Sequence, residues 1–183
     1  MLFGDRVTLR PLREADLAWF YEGNVDLRNR GAYFPRRTPS ETKIRRAFDE
    51  DGMWAEHEGM LVIDIPDGPR IGHIEFYRAI NYLDAYELSY LLYDTQQAGH
   101  GFVTEAVRLL TDYLFETRHL GRVELRIHPD NGASRRVAEK CGYVLDGTTR
   151  GAWYHDGRNH DIVVYGCLRT DWETDTDRAG RHA

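Results

Sequence analysis

The stretch from Tyr86 to Tyr113, YELSYLLYDTQQAGHGFVTEAVRLLTDY, decides how the chain folds. Tyr86 to Tyr93 is dense in aromatic and aliphatic residues and reads as a buried strand. A polar turn, Asp94 to Gln97, leads into Gly99-His100-Gly101. Beyond it Val103, Ala106, Val107, Leu110, Leu114 and Thr117 recur at a spacing that lines one side of a helix. Glycines let the main chain approach a ligand with no Cβ in the way. A helix start offers unpaired N–H groups and the positive end of a dipole. The pattern therefore predicts a phosphate or pyrophosphate seated on the amides of roughly Gly99 to Thr104.

Two familiar phosphate loops do not fit. A P-loop needs a lysine and a hydroxyl residue after its last glycine, and no lysine lies near this turn. A dinucleotide fingerprint needs glycine or alanine where Thr104 stands. Gly-x-Gly by itself fits a plain connecting turn equally well.

Working outward, Val123 to His128 alternates as a strand, and strand–helix–strand forms a crossover, so this strand is expected parallel to Tyr86–Tyr93. Met60 to Ile65 and Arg70 to Tyr77 read as strands joined by Pro66-Asp67-Gly68-Pro69, and Arg6 to Leu12 as a first strand. Glu14 opens a helix bearing Leu17, Phe20 and Tyr21. A second helix starts at Thr38 as N-cap, with Pro39 first and Glu41 three after the cap, and stops at Asp51-Gly52. Asn131 caps a short helix that ends before Gly142, and Tyr143 to Leu145 and Asp161 to Leu168 are closing strands. One domain over residues 1–169, followed by a polar, frayed tail over 170–183, is expected.

Three blocks carry a resemblance to a known family. Gln96-x-x-Gly99-x-Gly101 resembles the acyl-CoA pyrophosphate loop of the GNAT N-acetyltransferases, and Gly101-Phe102-Val103-Thr104-Glu105-Ala106 is similar to its RimJ/RimL-like branch. The run from His128 through Asn131 and Ser134 to Glu139-Lys140-Cys141-Gly142-Tyr143 matches the second block, and Asp156-Gly157-Arg158 with Asp161 the third. The likeness extends from Arg6 to about Leu168. One position departs: the basic residue often found before the first glycine is Ala98, which leaves more of the phosphate to the backbone.

The resemblance implies an α/β (α+β) GNAT-like fold: a mixed, mostly antiparallel sheet with a central parallel strand pair splayed for acyl-CoA, flanked by helices. It implies acetyl-CoA as cofactor and N-acetyl transfer to a primary amine by direct attack in a ternary complex. The acceptor would be a small-molecule amine or a protein N-terminus. The alternative is a non-catalytic acyl-CoA-binding sensor or interaction module.

The coenzyme would lie along Tyr90, Leu91 and Leu92, then over Gln96, Gln97, Ala98, Gly99, His100, Gly101, Phe102, Val103 and Thr104. Asn131 and Ser134 would meet its pantetheine and sulfur, and Arg136 and Lys140, with Arg135, are candidates for its 3′-phosphate. Glu87 is the candidate proton acceptor, the alternative being a salt-bridged strand carboxylate, and Ser134 the hydrogen-bond donor to the leaving thiolate. Tyr33, Phe34, His73, Glu75, Trp153 and His155 are candidates for the acceptor pocket; His73 and Glu75 alternate beside Glu87 as further proton acceptors.

Composition bounds the partners. Arginine outnumbers lysine 22 to 2, yet the net charge is −6 and no arginine cluster is interleaved with aromatics, so nucleic acid is not expected. No apolar run reaches membrane-spanning length and no secretory leader is evident, so no membrane contact and a cytoplasmic location are expected. Cys141 and Cys167 read as core-filling thiols within a helix and a strand, and the histidines lack metal-ligand spacing, so no metal is expected. A homodimer is expected from the resemblance alone.

Overall fold

A computed structural model describes residues 1–78, 80 and 82–174. In chain order the strands are β1 (Leu2–Phe3), β2 (Thr8–Pro11), β3 (Glu58–Asp64), β4 (Arg70–Tyr77), β5 (Ala85–Leu92), β6 (Arg122–Ile127), β7 (Val144–His155) and β8 (Arg158–Leu168). The helices are α1 (Leu17–Val25), α2 (Glu41–Asp51), α3 (Phe102–Thr117), α4 (Gly132–Lys140) and α5 (Arg169–Thr174). Among the described residues the strands form one sheet in the order β1-β2-β3-β4-β5-β6-β8-β7. Every neighbouring pair is antiparallel except β5 and β6, which run parallel, as the crossover through α3 requires.

That parallel pair is short. Ala85, Tyr86 and Glu87 face Arg122, Val123 and Glu124; beyond them the two strands part. β5 continues to Leu92 along β4, and β6 continues to Ile127 along β8. The sheet therefore opens into a V between Leu88–Leu92 and Leu125–Ile127, and among the described residues backbone groups on the inner edge of β5 have no strand partner there.

Two apolar layers hold this shape. On one face Ala106, Val107, Leu110 and Leu114 of α3 are fully buried against Val7, Leu9, Ile63, Ile74 and Val123. Thr117, placed on the same stripe by its spacing, is exposed at the last turn, and Phe115 is buried instead. On the other face Leu12, Leu17, Phe20 and Ile44 pack around Val62.

Several boundaries differ from the sequence reading for local physical reasons. The cap of α2 is Ser40 rather than Thr38; its side chain accepts from the Lys43 amide, and Pro39 lies outside the helix. β7 runs twelve residues, far beyond Leu145, because it pairs with β8 down to His155 opposite Arg158; it is an edge strand exposed along almost its whole length. Its register shifts between Leu145 and Gly147 and again between Thr149 and Trp153, so no alternation survives in its sequence. Cys141 is the C-cap of α4 rather than an interior helix residue, though it and Cys167 are buried thiols.

The frayed tail is also corrected for residues 170–174, which belong to α5. Trp172 packs on Phe115 at 5.4 Å and donates from Nε1 to Asp112 at 2.8 Å. Arg169 donates to the carbonyls of Leu120, Phe115 and Arg118 where α3 ends. Residues 175–183, the rest of that expected tail, lie outside the described residues.

A buried ionic knot ties β2 to the turn before α1. Asp16 receives Arg10 at 2.6 Å and Arg70 at 2.6 Å, together with the Arg13 amide at 2.8 Å. Burial by itself would raise the Asp16 pKa, but these donors outweigh it and bring it down to about 2. A carboxylate lowered in the folded state stabilises the fold above its unfolded value of 3.8, and that contribution is lost as pH falls toward about 2. Asp16→Ala leaves Arg10 buried without its main counter-ion, and a loss of about 3 kcal/mol is expected. Thermal melts should show it as a drop of roughly 6–12 °C. A melting temperature unchanged from wild type would remove the knot from the stability of the fold.

Candidate active site

The glycine turn is built by its neighbours on both sides. Asp94 accepts the Gln96 amide at 2.9 Å and closes a short 3₁₀ turn, Thr95–Gln97. Gly99 and Gly101 then take φ of +86° and +85°, left-handed values that favour glycine. Gly101 is the N-cap of α3 and has no side chain to satisfy the first helical amides, so those of Phe102, Val103 and Thr104 remain available to an anion.

The N-terminal chain braces this turn from behind. One carboxylate, Glu105, accepts the amides of Asp5, Arg6 and Val7 at 3.0, 2.8 and 2.8 Å. Arg6 in turn donates to the His100 carbonyl at 2.9 Å. The glutamate of the Thr-Glu-Ala block thus fixes the loop's support and leaves the helix start itself open.

In front of the turn lies a cleft of about 460 Å³ that follows the open edge of β5. Tyr90, Leu91, Leu92, Gln97, Ala98, Gly99, Gly101, Phe102, Val103 and Thr104 line one side of it. Asn131, Ser134, Arg136 and Lys140 of the α4 segment line the other. Three expected residues do not join them. Gln96 is exposed outside the cleft, because the 3₁₀ turn directs it to solvent. His100 stacks on Phe102 at 5.7 Å and meets Arg6 through its carbonyl. Arg135 faces away, donating to the Tyr165 hydroxyl at 3.1 Å and the Pro129 carbonyl at 3.2 Å.

The cleft leads into a second chamber of about 490 Å³ within the V. Arg30, Tyr33, Phe34, Tyr90, Asn131 and Ser134 line both spaces, so they mark the junction. Asn131 accepts the Ser134 amide at 3.1 Å and caps α4, which sets the Ser134 side chain at that junction. The Tyr90 hydroxyl beside it is buried next to Ser134; burial raises its pKa to about 12, against the pull of the Ser134 hydroxyl.

The chamber floor carries two carboxylates. Glu87 accepts the Tyr77 hydroxyl at 2.8 Å and meets Arg126 at 3.2 Å; Arg126 also pairs with Glu124. Burial pushes the Glu87 pKa up, against the pull of Tyr77 and Arg126. Glu75 stands on β4 opposite Ser89 of β5, and its pKa is raised by burial as well. Tyr33, Phe34 and Trp153 wall the chamber; Tyr33 stacks on His128 at 4.9 Å, and Trp153 meets His128 edge-on.

Two of the expected pocket residues lie elsewhere. His73 shares a strand face with Glu75, but α1 covers that end of it. The ring is buried edge-on against Phe20, bonds the Tyr93 hydroxyl at 2.8 Å, and is lowered to about 3 by burial and by Arg30. It cannot reach an acceptor. His155 lies behind Trp153, its ring stacked at 4.5 Å and 8°, and does not line the chamber.

Four participants were not singled out from the sequence: Arg30, Tyr77, Arg126 and His128. Tyr77 and Arg126 were within reach, since Tyr77 faces Glu87 in the β4–β5 register and Arg126 lies on the strand parallel to β5. Arg30 belongs to an aperiodic stretch, and nothing local marks it as buried. Among the described residues no group of three or more His, Cys, Asp or Glu is arranged to hold a metal ion, and no helix is long and apolar enough to cross a membrane.

The helix start, the splayed edge of β5 and the carboxylate chamber thus lie along one connected cleft. The acetyltransferase (GNAT) domain model matches residues 6–144, and the chain belongs to that family. It is an N-acetyltransferase. It is 28% identical to the putative ribosomal N-acetyltransferase YdaF of Bacillus subtilis over 92% of this chain and 94% of that one. It is 22% identical to the spermidine N(1)-acetyltransferase of Vibrio cholerae, over 86% and 90% of the two chains. The crystal structure of spermidine N-acetyltransferase from Vibrio cholerae, in complex with CoA and spermine, superposes with a TM-score of 0.80 at 20% identity, covering 93% of this chain and all of that one.

Proposed function

We propose that the chain moves an acetyl group from acetyl-CoA to a primary amine by direct attack in a ternary complex. The acceptor is a small-molecule amine or a protein N-terminus. One observation carries the reading: the cleft in front of the glycine turn and the carboxylate chamber meet at Tyr90, Asn131 and Ser134. A thioester reaching that junction presents its carbonyl to an amine in the chamber. The relatives named above, a putative ribosomal N-acetyltransferase and a spermidine N(1)-acetyltransferase, support an amine acceptor.

In this reading the pyrophosphate rests on the amides of α3, and Arg136 and Lys140 supply positive charge along the cleft. The pantetheine amides pair with the open edge of β5 as an added strand would. Glu87, held by Tyr77 and Arg126, receives the acceptor ammonium. Ser134 donates a hydrogen bond to the departing thiolate; its own pKa is too high for it to give up the proton outright.

Release of free thiol from acetyl-CoA, measured against a panel of primary amines that includes spermidine and a peptide with a free N-terminus, tests the reading. Amine-dependent release is expected; tight coenzyme binding without turnover on any amine would contradict it. Ser134→Ala should lower kcat about tenfold with little change in coenzyme affinity. An unchanged kcat would take Ser134 out of the mechanism.

A further inference from the structure

The two carboxylates of the chamber differ in what already holds them. Glu87 has the Tyr77 hydroxyl on one oxygen and Arg126 on the other. Among the described residues no ion pair reaches Glu75, whose hydrogen-bonding neighbour is Ser89. Glu75 also borders two spaces. It lines the acceptor chamber, and with Tyr77 it lines a separate hollow of about 310 Å³ beside the C-terminal end of α2. That hollow carries Glu50, Asp51 and Glu58, all exposed to solvent. One carboxylate thus stands in the wall between the acceptor chamber and an acidic recess whose other carboxylates are exposed to solvent.

Resting on the acetyltransferase reading above, we infer that Glu75 takes the proton from the acceptor ammonium and hands it to water in the hollow behind it. An N–H bond of the ammonium breaks and an O–H bond forms on Glu75. The freed lone pair attacks the thioester carbonyl carbon. When the adduct collapses the C–S bond breaks, and a second proton leaves nitrogen and, through solvent, neutralises the thiolate. Glu75 returns its proton to the hollow, so each turnover releases one proton, one amide and one thiol.

The surroundings suit the task. Glu75 faces Glu87 and Ser89 on β5, Glu58 on β3, Arg30 on the loop after α1, and the Tyr93 hydroxyl. Burial, then Glu87 and Glu58, make it more basic than an ordinary glutamate, while Ser89 and Arg30 restrain it. A carboxylate raised this way binds a proton more readily near neutral pH.

The test is the pH dependence of kcat/KM for acetyl transfer to spermidine, or to a peptide with a free N-terminus if that is the amine turned over, in wild type, Glu75→Gln and Glu58→Gln. Glu75→Gln should lower kcat roughly 100-fold at neutral pH, with coenzyme affinity within about twofold. Its deficit should shrink as pH approaches the amine's own pKa, about 10 for an alkyl amine such as spermidine and about 8 for a peptide N-terminus, where the acceptor arrives deprotonated. Glu58→Gln removes a negative neighbour and should move the acidic limb of the wild-type profile to lower pH. A Glu75→Gln enzyme with wild-type kcat and pH profile overturns the inference while leaving the acetyltransferase reading intact. If that variant does not fold, an acidic limb unmoved in Glu58→Gln overturns it instead. Failure of wild type to release thiol with any amine overturns both.

Discussion

Replacing Gly101 by valine should weaken coenzyme A binding at least 100-fold, a loss of about 2.7 kcal/mol. The cause is the backbone. Gly101 caps α3 at φ +85°, where an L residue is disfavoured by roughly 1–2 kcal/mol and a β-branched one by more. A Cβ there would meet the Arg6 side chain, Nη1 at 3.6 Å and Cδ and Cζ at 3.9 Å, all ordinary contacts, so the protein itself does not exclude the side chain. Relief comes by turning the cap, and that swings the amides of Phe102, Val103 and Thr104 off their common target. The branched side chain also stands where the phosphates must pass. Because Gly101 lies outside the two apolar layers, the melting temperature should stay within a few degrees of wild type. Isothermal titration with CoA reads the effect directly, and near-normal affinity would show that the turn does not hold the phosphates.

The second large effect is expected at Glu87. In Glu87→Gln the amide oxygen still accepts from Tyr77, and Arg126 keeps Glu124, so the fold should hold. What is lost is the charge opposite the ammonium. A hydrogen bond to a charged group contributes roughly 1.5–3 kcal/mol, which corresponds to a fall in kcat/KM of about 10- to 150-fold. The loss should appear mainly as a higher KM for the amine, with coenzyme affinity unaltered. This pattern separates Glu87 from Glu75, whose replacement should lower kcat and be rescued by high pH. A wild-type KM in Glu87→Gln would leave that carboxylate with a structural role alone.

The two glutamates also show what could be read from the residues. Strand, glycine turn and helix were legible because each requirement is local: apolar density before the turn, no Cβ within it, one stripe after it. The open cleft followed, since the parallel crossover places the helix start at the ends of β5 and β6. Alternation put His73 and Glu75 on one face of β4 correctly, yet it is silent about what covers that face. Phe20 and Tyr93 close over His73, and Glu75 alone reaches the chamber.

The same limit explains the other differences. The resemblance implies Glu87 as a proton acceptor, but its partners come from Tyr77 and Arg126, one across each strand interface. Strand β7 lacked a signal because an exposed, twice-bulged edge strand has no buried face to impose a period. Its Trp153 reaches the chamber while His155, two residues on, is locked behind it. The helix α5 was hidden in a polar tail whose one large apolar residue, Trp172, docks on α3. Side chains set by distant packing were out of reach of local pattern, whereas backbone chemistry was not.

In the proposed function, main-chain amides at the start of α3 grip the coenzyme's phosphates. The most direct measurement is an amide-resolved NMR titration of the wild-type protein with CoA. Large shifts at Gly99 to Thr104 and along Leu91 and Leu92, together with a rise in melting temperature, are expected. Amide signals and melting temperature both unmoved at millimolar CoA would contradict it.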